Sequence, residues 1–185
     1  MTKKEEVING ARELFCTYGY KKVTMDEIAK RSGVTKKTIY SYFKDKNDLI
    51  KYFVYEEIDK MKEIVSNVEK KDLSTVDRAN EIIYSLLEYR KQEKLLKKFS
   101  EEAKELPLGI ATECEEILNK AIVKEIKKLL EKGIKNKDVI PCDTDLASFL
   151  IYKLYLSLMF EWDKPLDKKE VTNSFMNLLK DGLFL

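Results

Sequence analysis

The sequence contains no histidine, so it lacks both the commonest general base and the commonest metal ligand. Only 3 prolines and 6 glycines interrupt its 185 residues, which favours long helices over a strand-rich fold. The three cysteines, Cys16, Cys114 and Cys142, lie far apart, and their spacing excludes zinc and thioredoxin-like motifs. We therefore expect no metal site, no cofactor, and three reduced thiols in a cytoplasmic protein.

A long apolar run is also missing. The most apolar stretch, residues 146–162, is interrupted by Lys153, and a bilayer-spanning helix needs roughly 20 apolar residues. The N-terminus is charged and has no apolar segment typical of a signal peptide. We expect residues 146–162 to form a buried helix, and we expect no membrane partner.

Charge is present in quantity but is unevenly distributed. The formal net charge is only +2, yet residues 1–50 hold 11 Lys and Arg against 7 Asp and Glu. The remaining residues carry a slight acidic excess. This asymmetry is typical of a chain whose N-terminal quarter alone meets a polyanion.

Apolar residues at helical spacing predict an all-α fold. A first helix ends at Gly19, and Thr24 with Glu27 forms a capping box that opens a short second helix, 25–31. Asp45 caps a long helix at 46–68. Five more helices are predicted, at 76–91, 93–104, 111–132 (before Gly133), 146–162 (capped by Asp143 or Thr144) and near 171–179.

Between the second helix and the long one, Gly33 marks a tight turn and Thr35 caps a third helix. Two short helices joined in this way form a helix-turn-helix if the second enters a DNA groove. Lys36, Lys37 and Tyr40 then share its outer face, where cations and hydroxyls suit phosphate oxygens and base edges. DNA phosphate would supply the anion that lysines at a helix start otherwise lack.

Residues 24–50, TMDEIAKRSGVTKKTIYSYFKDKNDLI, closely resemble the DNA-binding signature of TetR-family transcriptional regulators. The preceding ARELFCTYGY is similar to the first helix of that family and its glycine-containing exit. Ser32 departs from the pattern, since alanine is usual there, and an apolar contact is lost. The remaining 135 residues match the family only in the number and length of their helices.

The resemblance implies an N-terminal three-helix helix-turn-helix DNA-binding domain, 1–46, and a C-terminal helical effector-binding and dimerisation domain, 47–185. It also implies a homodimer, most simply a repressor, that a small molecule releases from a double-stranded DNA operator. Major-groove contacts fall to Thr35, Lys36, Lys37 and Thr38, and chiefly phosphate contacts to Thr24, Tyr40, Tyr42 and Lys46. The sequence leaves open which of them reads a base.

The C-terminal region offers two further sets of candidates. We expect a largely apolar or aromatic effector in a pocket lined by Tyr84, Phe99, Tyr152, Tyr155, Met159 and Trp162. Apolar faces with more surface than one small bundle can bury predict pairing across a two-fold axis through Leu118, Ile122, Leu129, Leu150, Leu154 and Leu158. The long helix 46–68 would then join the sensor to the DNA-binding domain, and its tilt would set the spacing of two recognition helices.

Two other functions compete with this interpretation. An enzyme would need carboxylates, Lys or Cys in place of His, but Glu113, Glu116 and Lys120 have the spacing of solvent-side pairs. We therefore expect no catalysis. An architectural or co-activating DNA-binding protein of the same fold, without an effector, remains the alternative, and the sequence does not separate activator from repressor.

Overall fold

A computed structural model of the chain is all-helical, as its apolar periodicity predicts. The structure describes residues 1–103, 109–160, 167, 170, 173–174 and 176–179, and no β-strand occurs among them. The helices so described are α1 (Lys3–Tyr18), α2 (Met25–Ser32), α3 (Lys36–Tyr40), α4 (Lys46–Glu69), α5 (Thr75–Gln92), α6 (Leu95–Ala103), α7 (Ile110–Asn136) and α8 (Thr144–Phe160). Residues 173–174 and 176–179 are helical as well.

Side-chain caps fix where several helices begin. Thr24 Oγ1 accepts the N–H of Glu27 at 3.3 Å, and the Glu27 carboxylate accepts the N–H of Thr24 at 2.8 Å. This confirms the predicted capping box of α2. Asp45 Oδ1 likewise accepts the N–H of Asp48 at 2.8 Å and so opens α4. Of the two candidate caps for α8, Asp143 serves, since its carboxylate accepts two first-turn N–H groups at 3.0 Å.

One predicted helix end was wrong. α7 does not stop before Gly133 but continues to Asn136, and Lys137 then adopts the left-handed conformation, with φ of 65°. The N–H of Asp138 returns to the Gly133 carbonyl at 2.9 Å and closes the helix end. Gly133 serves packing instead, because a Cβ there would lie 2.5 Å from a methyl group of Val139.

The chain divides into two compact units. The first unit comprises Met1–Glu57 and Gln92–Ile117, and the second comprises Ile58–Lys91 and Leu118–Leu185. α6 and the start of α7 therefore belong with the N-terminal helices, which the sequence did not indicate. The functional boundary expected at residues 46 and 47 stays a prediction. No helix in the described part of the chain has the length and apolarity to cross a bilayer.

Rings occupy the centre of the first unit. Phe15 packs against Tyr20 and Phe53, with ring centroids 5.6 and 6.1 Å apart, and Tyr20 meets Phe99 of α6 edge-on at 5.3 Å. All four residues are at least 93% buried. Edge-to-face pairs of this kind add to the hydrophobic stabilisation of a core, so α6 is held to α1 by the same cluster that orders the N-terminal helices.

Candidate nucleic-acid interface and apolar cavity

The turn between α2 and α3 has the geometry that its glycine predicts. Gly33 adopts the left-handed conformation, with φ of 65°, and its N–H reaches the carbonyls that end α2. The N–H of Val34 bonds the Ala29 carbonyl at 3.1 Å, which completes a helix-ending motif. These bonds fix the direction in which the chain leaves α2, and therefore the placement of α3.

A second glycine sets the distance between α1 and α2. A Cβ on Gly10 would lie 2.3 Å from Ser32 Oγ, so no larger residue fits without movement. Ser32 is the residue that departs from the family pattern, and its buried Oγ has no hydrogen-bond partner among the described residues. The departure therefore leaves an unsatisfied hydroxyl at a close helix contact rather than a new polar interaction.

Local bonds position the outer face of α3. Thr35 Oγ1 accepts the N–H of Thr38 at 3.2 Å, and Ile39 is completely buried beneath the helix. Seven of the eight predicted DNA-contacting residues are confined to this turn, α3 and the flanking caps. The structure leaves six of the eight exposed, namely Thr24, Thr35, Lys36, Lys37, Tyr40 and Tyr42, while Thr38 and Lys46 are half-buried. Their contacts with DNA stay a prediction.

One cation on this face has a partner that the sequence did not reveal. The ammonium group of Lys36 forms an ion pair with Asp26 in the first turn of α2, and both side chains are more than half exposed. Lys37, the next residue, forms no ion pair with any described residue. Two adjacent lysines on α3 therefore differ, since a phosphate must compete with Asp26 for Lys36 but not for Lys37.

Lys46 has a structural role. Its Nζ donates to the carbonyls of Tyr20 and Val23 at 2.8 and 2.9 Å, and it lies 4.4 Å from the centre of the Tyr20 ring. Burial lowers the pKa of Lys46, against the opposing effect of the carboxylates of Glu102 and Glu27. The expected phosphate contact of Lys46 stays a prediction, and such a contact would have to share these bonds.

α6 is anchored to the loop that joins α1 to α2. Lys98 donates to the carbonyls of Cys16 and Thr17, at 3.2 and 2.6 Å, at the C-terminal end of α1. One helical turn further, the Glu102 carboxylate accepts the N–H of Lys21 at 3.0 Å. That carboxylate occupies the place of a side chain at Gly19, whose φ is 86°. The loop is therefore shaped around a side chain from α6.

An apolar cavity of about 180 Å³ lies within the second unit. Helices α4, α5, α7 and α8 and the segment 176–179 all contribute to its wall. Its apolar lining comprises Met61, Ala79, Ile82, Ile83, Leu86, Ile122, Ile126, Leu129, Leu130, Gly133, Val139, Ile151, Met176 and Leu179; the remaining lining residues are Glu69, Thr75, Arg78, Lys132, Asn136, Asp138, Tyr152 and Tyr155. A cavity of about 150 Å³ lined by aliphatic side chains holds benzene in another protein, so this one has room for a small apolar ligand.

Only part of the predicted pocket lies at this cavity. Tyr152 and Tyr155 line it. The prediction was wrong for Phe99, which is buried against Tyr20 in the first unit, and for Tyr84, which is 41% exposed and lies outside the lining. The Met159 side chain and Trp162 lie outside the described residues. Aliphatic residues of α5 and α7 make most of the wall, and the sequence analysis had selected aromatic residues instead.

α8 presents different surfaces on its two sides. Tyr152 and Ser148 are buried, and Ile151 and Tyr155 line the cavity. The opposite side is both apolar and exposed, and its members Leu146, Phe149, Leu150 and Leu154 are between 46% and 56% accessible. A stripe at this spacing is a continuous apolar surface over more than two turns of helix.

The candidate dimer residues divide according to this geometry. Leu150 and Leu154 lie on the exposed stripe. Ile122 and Leu129 line the cavity instead, so their expected place on a dimer surface is corrected, and Leu118 is half-buried. The Leu158 side chain lies outside the described residues. Among the residues that are described, no group of His, Cys, Asp and Glu is arranged to hold a metal ion.

A turn-linked helix pair with an exposed cationic second helix, followed by a helical unit with an apolar cavity, defines a helix-turn-helix transcriptional regulator. The profile of the bacterial regulatory proteins of the tetR family matches residues 7–53. Over 184 residues the chain is 32% identical to the uncharacterized HTH-type transcriptional regulator YhgD of Bacillus subtilis, covering 98% of this chain and 96% of that protein. The chain belongs to the TetR family and is a regulator, not an enzyme.

Other relatives are regulators of lipid metabolism. The fatty acid metabolism regulator protein of Bacillus subtilis is 27% identical over 198 residues, covering 98% of this chain and 95% of that protein. The solved structure of FadR from Bacillus subtilis in complex with stearoyl-CoA is 22% identical and superposes with a TM-score of 0.72, covering 97% and 98% of the two chains. FadR from Bacillus halodurans gives a TM-score of 0.75 at 22% identity, with the same coverage. These two structures show that the fold is shared.

Proposed function

We propose that the protein is a cytoplasmic, homodimeric repressor that leaves its DNA operator when a largely apolar ligand occupies the cavity of the second unit. The observation that carries this proposal is the cavity itself. It is lined mainly by aliphatic side chains, whereas an architectural protein without an effector would gain stability from a filled core. The stearoyl-CoA complex of FadR and the fatty-acid regulator among the relatives support a ligand with an alkyl chain.

The DNA contact is assigned to α3 and the residues that flank it. Thr35, Lys37 and Tyr40 are exposed on one short helix, and Lys37 forms no competing ion pair with the described residues. The first fifty residues also hold the cationic excess of the chain. Phosphate contacts by such groups supply affinity, while base contacts supply sequence preference.

The exposed stripe of α8 is assigned to a second copy of the chain. Phe149, Leu150 and Leu154 are each nearly half accessible, although the other side of the same helix is packed. Two copies of a self-complementary apolar face bury it around a two-fold axis. Such a dimer carries two recognition helices for successive major grooves, about 34–36 Å apart.

α4 and α6 provide the physical route from ligand to DNA. α4 is unbroken from Lys46, which holds the Tyr20 and Val23 carbonyls, to Met61 and Glu69, which line the cavity. A ligand that prefers one arrangement of α4 shifts the population by its difference in affinity for the two states. The bonds of Lys98 and Glu102 would transmit a displacement of α6 to the end of α1 in the same way.

Operator selection from random DNA with the purified protein tests the DNA-binding part. We expect a two-fold-symmetric site with half-sites about one helical turn apart, and we expect Lys37→Glu to weaken binding to every sequence and to flatten its salt dependence. Selection of no sequence, or an unchanged salt slope in the variant, would contradict the assignment of α3.

Light scattering tests the dimer. Phe149→Glu and Leu150→Glu should each place a charge in the interface and yield monomers. Tyr55→Glu is the matched control, since Tyr55 is 54% exposed on α4 and outside the stripe. If all three variants remain dimeric, the second copy binds elsewhere.

A further inference from the structure

The cavity is polar at one end only. Thr75 and Arg78 stand at the start of α5, and Thr75 donates to Asp138, just beyond the end of α7, at 2.8 Å. α5 and α7 therefore bring the beginning of one helix to the end of the other. Further along α5, Ile82 and Leu86 contribute only apolar surface. From Arg78 to Leu86 the helix rises about 12 Å, so the cavity has a polar end and an apolar section of roughly that length.

Arg78 is the cation in this polar end that lacks an anion. Its Nη2 donates to the Leu73 carbonyl at 2.8 Å, but its buried Nε has no hydrogen-bond partner, and among the described residues Arg78 forms no ion pair. A buried cationic donor without a partner is costly, and a carboxylate is the group that the planar guanidinium fits best. The first turn of α5, where Arg78 lies, also favours an anion.

The other charged groups at this end are already paired. Glu69 forms an ion pair with Lys132 at 2.6 Å, and Asp138 accepts the hydrogen bond of Thr75. The carboxylate of Asp77 accepts the Ser74 hydroxyl at 2.6 Å in the cap of α5. Arg78 is therefore the group at this end that a bound anion would complete.

We infer that the effector is an amphiphile, in which a medium-length alkyl chain fills the apolar section and one terminal anionic group is held by Arg78. This inference rests on the proposed function for the role of the ligand, but not for its binding. A free carboxylate and the anionic head of an acyl thioester share this chemistry. The volume of about 180 Å³ favours a chain shorter than a stearoyl group, since every added methylene must find space.

Calorimetry with decanoate, decanol and decanoyl-CoA tests the inference on the intact dimer. Decanoate should bind the wild-type protein about ten- to hundredfold more tightly than decanol, as expected for a hydrogen bond to a charged group. Decanoyl-CoA that binds more tightly than decanoate, and depends equally on Arg78, would identify the acyl thioester as the source of the anion. Equal binding of decanol and decanoate would overturn the inference without any variant.

Arg78→Met provides the second arm. It should lower decanoate affinity to that of decanol and leave decanol unchanged, because only the anionic contact is removed. Lys132→Met is the matched control: Lys132 lines the same cavity but is paired with Glu69, so decanoate affinity should stay within about fivefold.

Stability of the ligand-free variants decides whether the chain itself completes Arg78. Removal of an unpaired buried cation should leave the melting temperature of Arg78→Met unchanged or higher. A fall in melting temperature to well below that of Lys132→Met would show that Arg78 already has an anion, and would overturn the inference.

The outcome is distinguishable from failure of the proposed function. Decanoate that binds through Arg78 yet leaves operator affinity unchanged would refute the ligand-released repressor and not the ligand class. Release of the operator by a neutral apolar molecule, with no preference for decanoate, would refute the ligand class and not the repressor.

Discussion

The two units of the protein record their structures in the sequence in different ways. In the first unit, Thr24, Gly33 and Thr35 each act within three to five residues of themselves, through caps and a left-handed turn. In the second unit, the cavity is made where four helices and the segment 176–179 come together. Local polar signals specify backbone geometry directly, whereas an apolar residue shows only that some neighbour covers it.

Phe99 provides the sharpest test of that contrast, because its sequence context suggested a ligand pocket and the structure places it in the core of the first unit. Phe99→Ala should lower the free energy of unfolding by about 3–5 kcal/mol, as truncation of a buried phenylalanine does. Tyr84→Ala, the matched change at an exposed residue that was assigned to the same pocket, should stay within about 0.5 kcal/mol. Urea unfolding of the two variants measures both values.

A small effect of Phe99→Ala would mean that α6 is not needed for the stability of the first unit. In that case the contact between the Tyr20 and Phe99 rings, and not only the predicted pocket, would have to be reconsidered. Ligand affinity of the folded Phe99→Ala protein should be unchanged, because the side chain is in the first unit and the cavity is in the second.

Prediction from the sequence succeeded where one helix determines the answer. The starts of α2, α3 and α4 follow from Thr24, Thr35 and Asp45, whose side chains bond their own first turns. It failed where a distant segment decides. Phe99 has the spacing of a core residue wherever its helix packs, and nothing near it in the sequence indicates Tyr20 as its neighbour.

The same reason explains the misplaced residues of α7. Ile122 and Leu129 form an apolar stripe, and the sequence does not state whether a stripe faces a second copy or a cavity. One signal was available for Arg78, since a cation in the first turn of a helix is disfavoured without an anion nearby. That argument was applied to Lys36 and Lys37 but not to α5.

Lys37 and Lys46 test whether the cations of the first unit serve DNA or the fold. Lys46→Met removes the bonds to the Tyr20 and Val23 carbonyls and should cost about 1.5–3 kcal/mol of unfolding free energy. Lys37→Met should leave stability within about 0.5 kcal/mol. It should instead reduce the slope of log affinity against log salt by about 0.9, the value for one phosphate contact.

Chemical unfolding and salt-dependent DNA titrations of both variants provide the comparison. A Lys46→Met protein of wild-type stability with a reduced salt slope would restore Lys46 to the role that the family resemblance implies. The carbonyl bonds would then be a resting arrangement that DNA displaces.

Tyr20 gives the first unit a pH dependence at high pH. Burial raises the pKa of Tyr20 to about 12, and Asp45 and Cys114 add to the shift. Because this pKa is raised above its usual value of 10, the unfolded chain ionises first, so the unfolding free energy should fall between pH 10 and pH 12 by on the order of 2 kcal/mol. Below pH 10 the contribution is fully present.

Tyr20→Phe isolates this effect from the deprotonation of lysines, which both proteins share. The variant loses the hydrogen bond from the Tyr20 hydroxyl to Asn47, so it should start less stable at about pH 9, where this contribution is intact. The difference between the two proteins should shrink as the pH rises. A constant difference up to pH 12 would show that Tyr20 titrates alike in both states.

The smallest expected effect concerns Asp26, which separates Lys36 from its neighbour Lys37. Asp26→Asn removes an exposed ion pair, typically worth 0.2–1 kcal/mol, so operator affinity should rise by up to about fivefold at low salt. The gain should disappear as salt screens the exposed charges. Asp59→Asn, which breaks the exposed pair with Lys62, should change nothing. Weaker binding by Asp26→Asn would instead mean that Asp26 holds Lys36 in its DNA-bound position. The ion pair would then be part of the recognition surface, and α3 would depend on its neighbour α2 for more than the turn at Gly33.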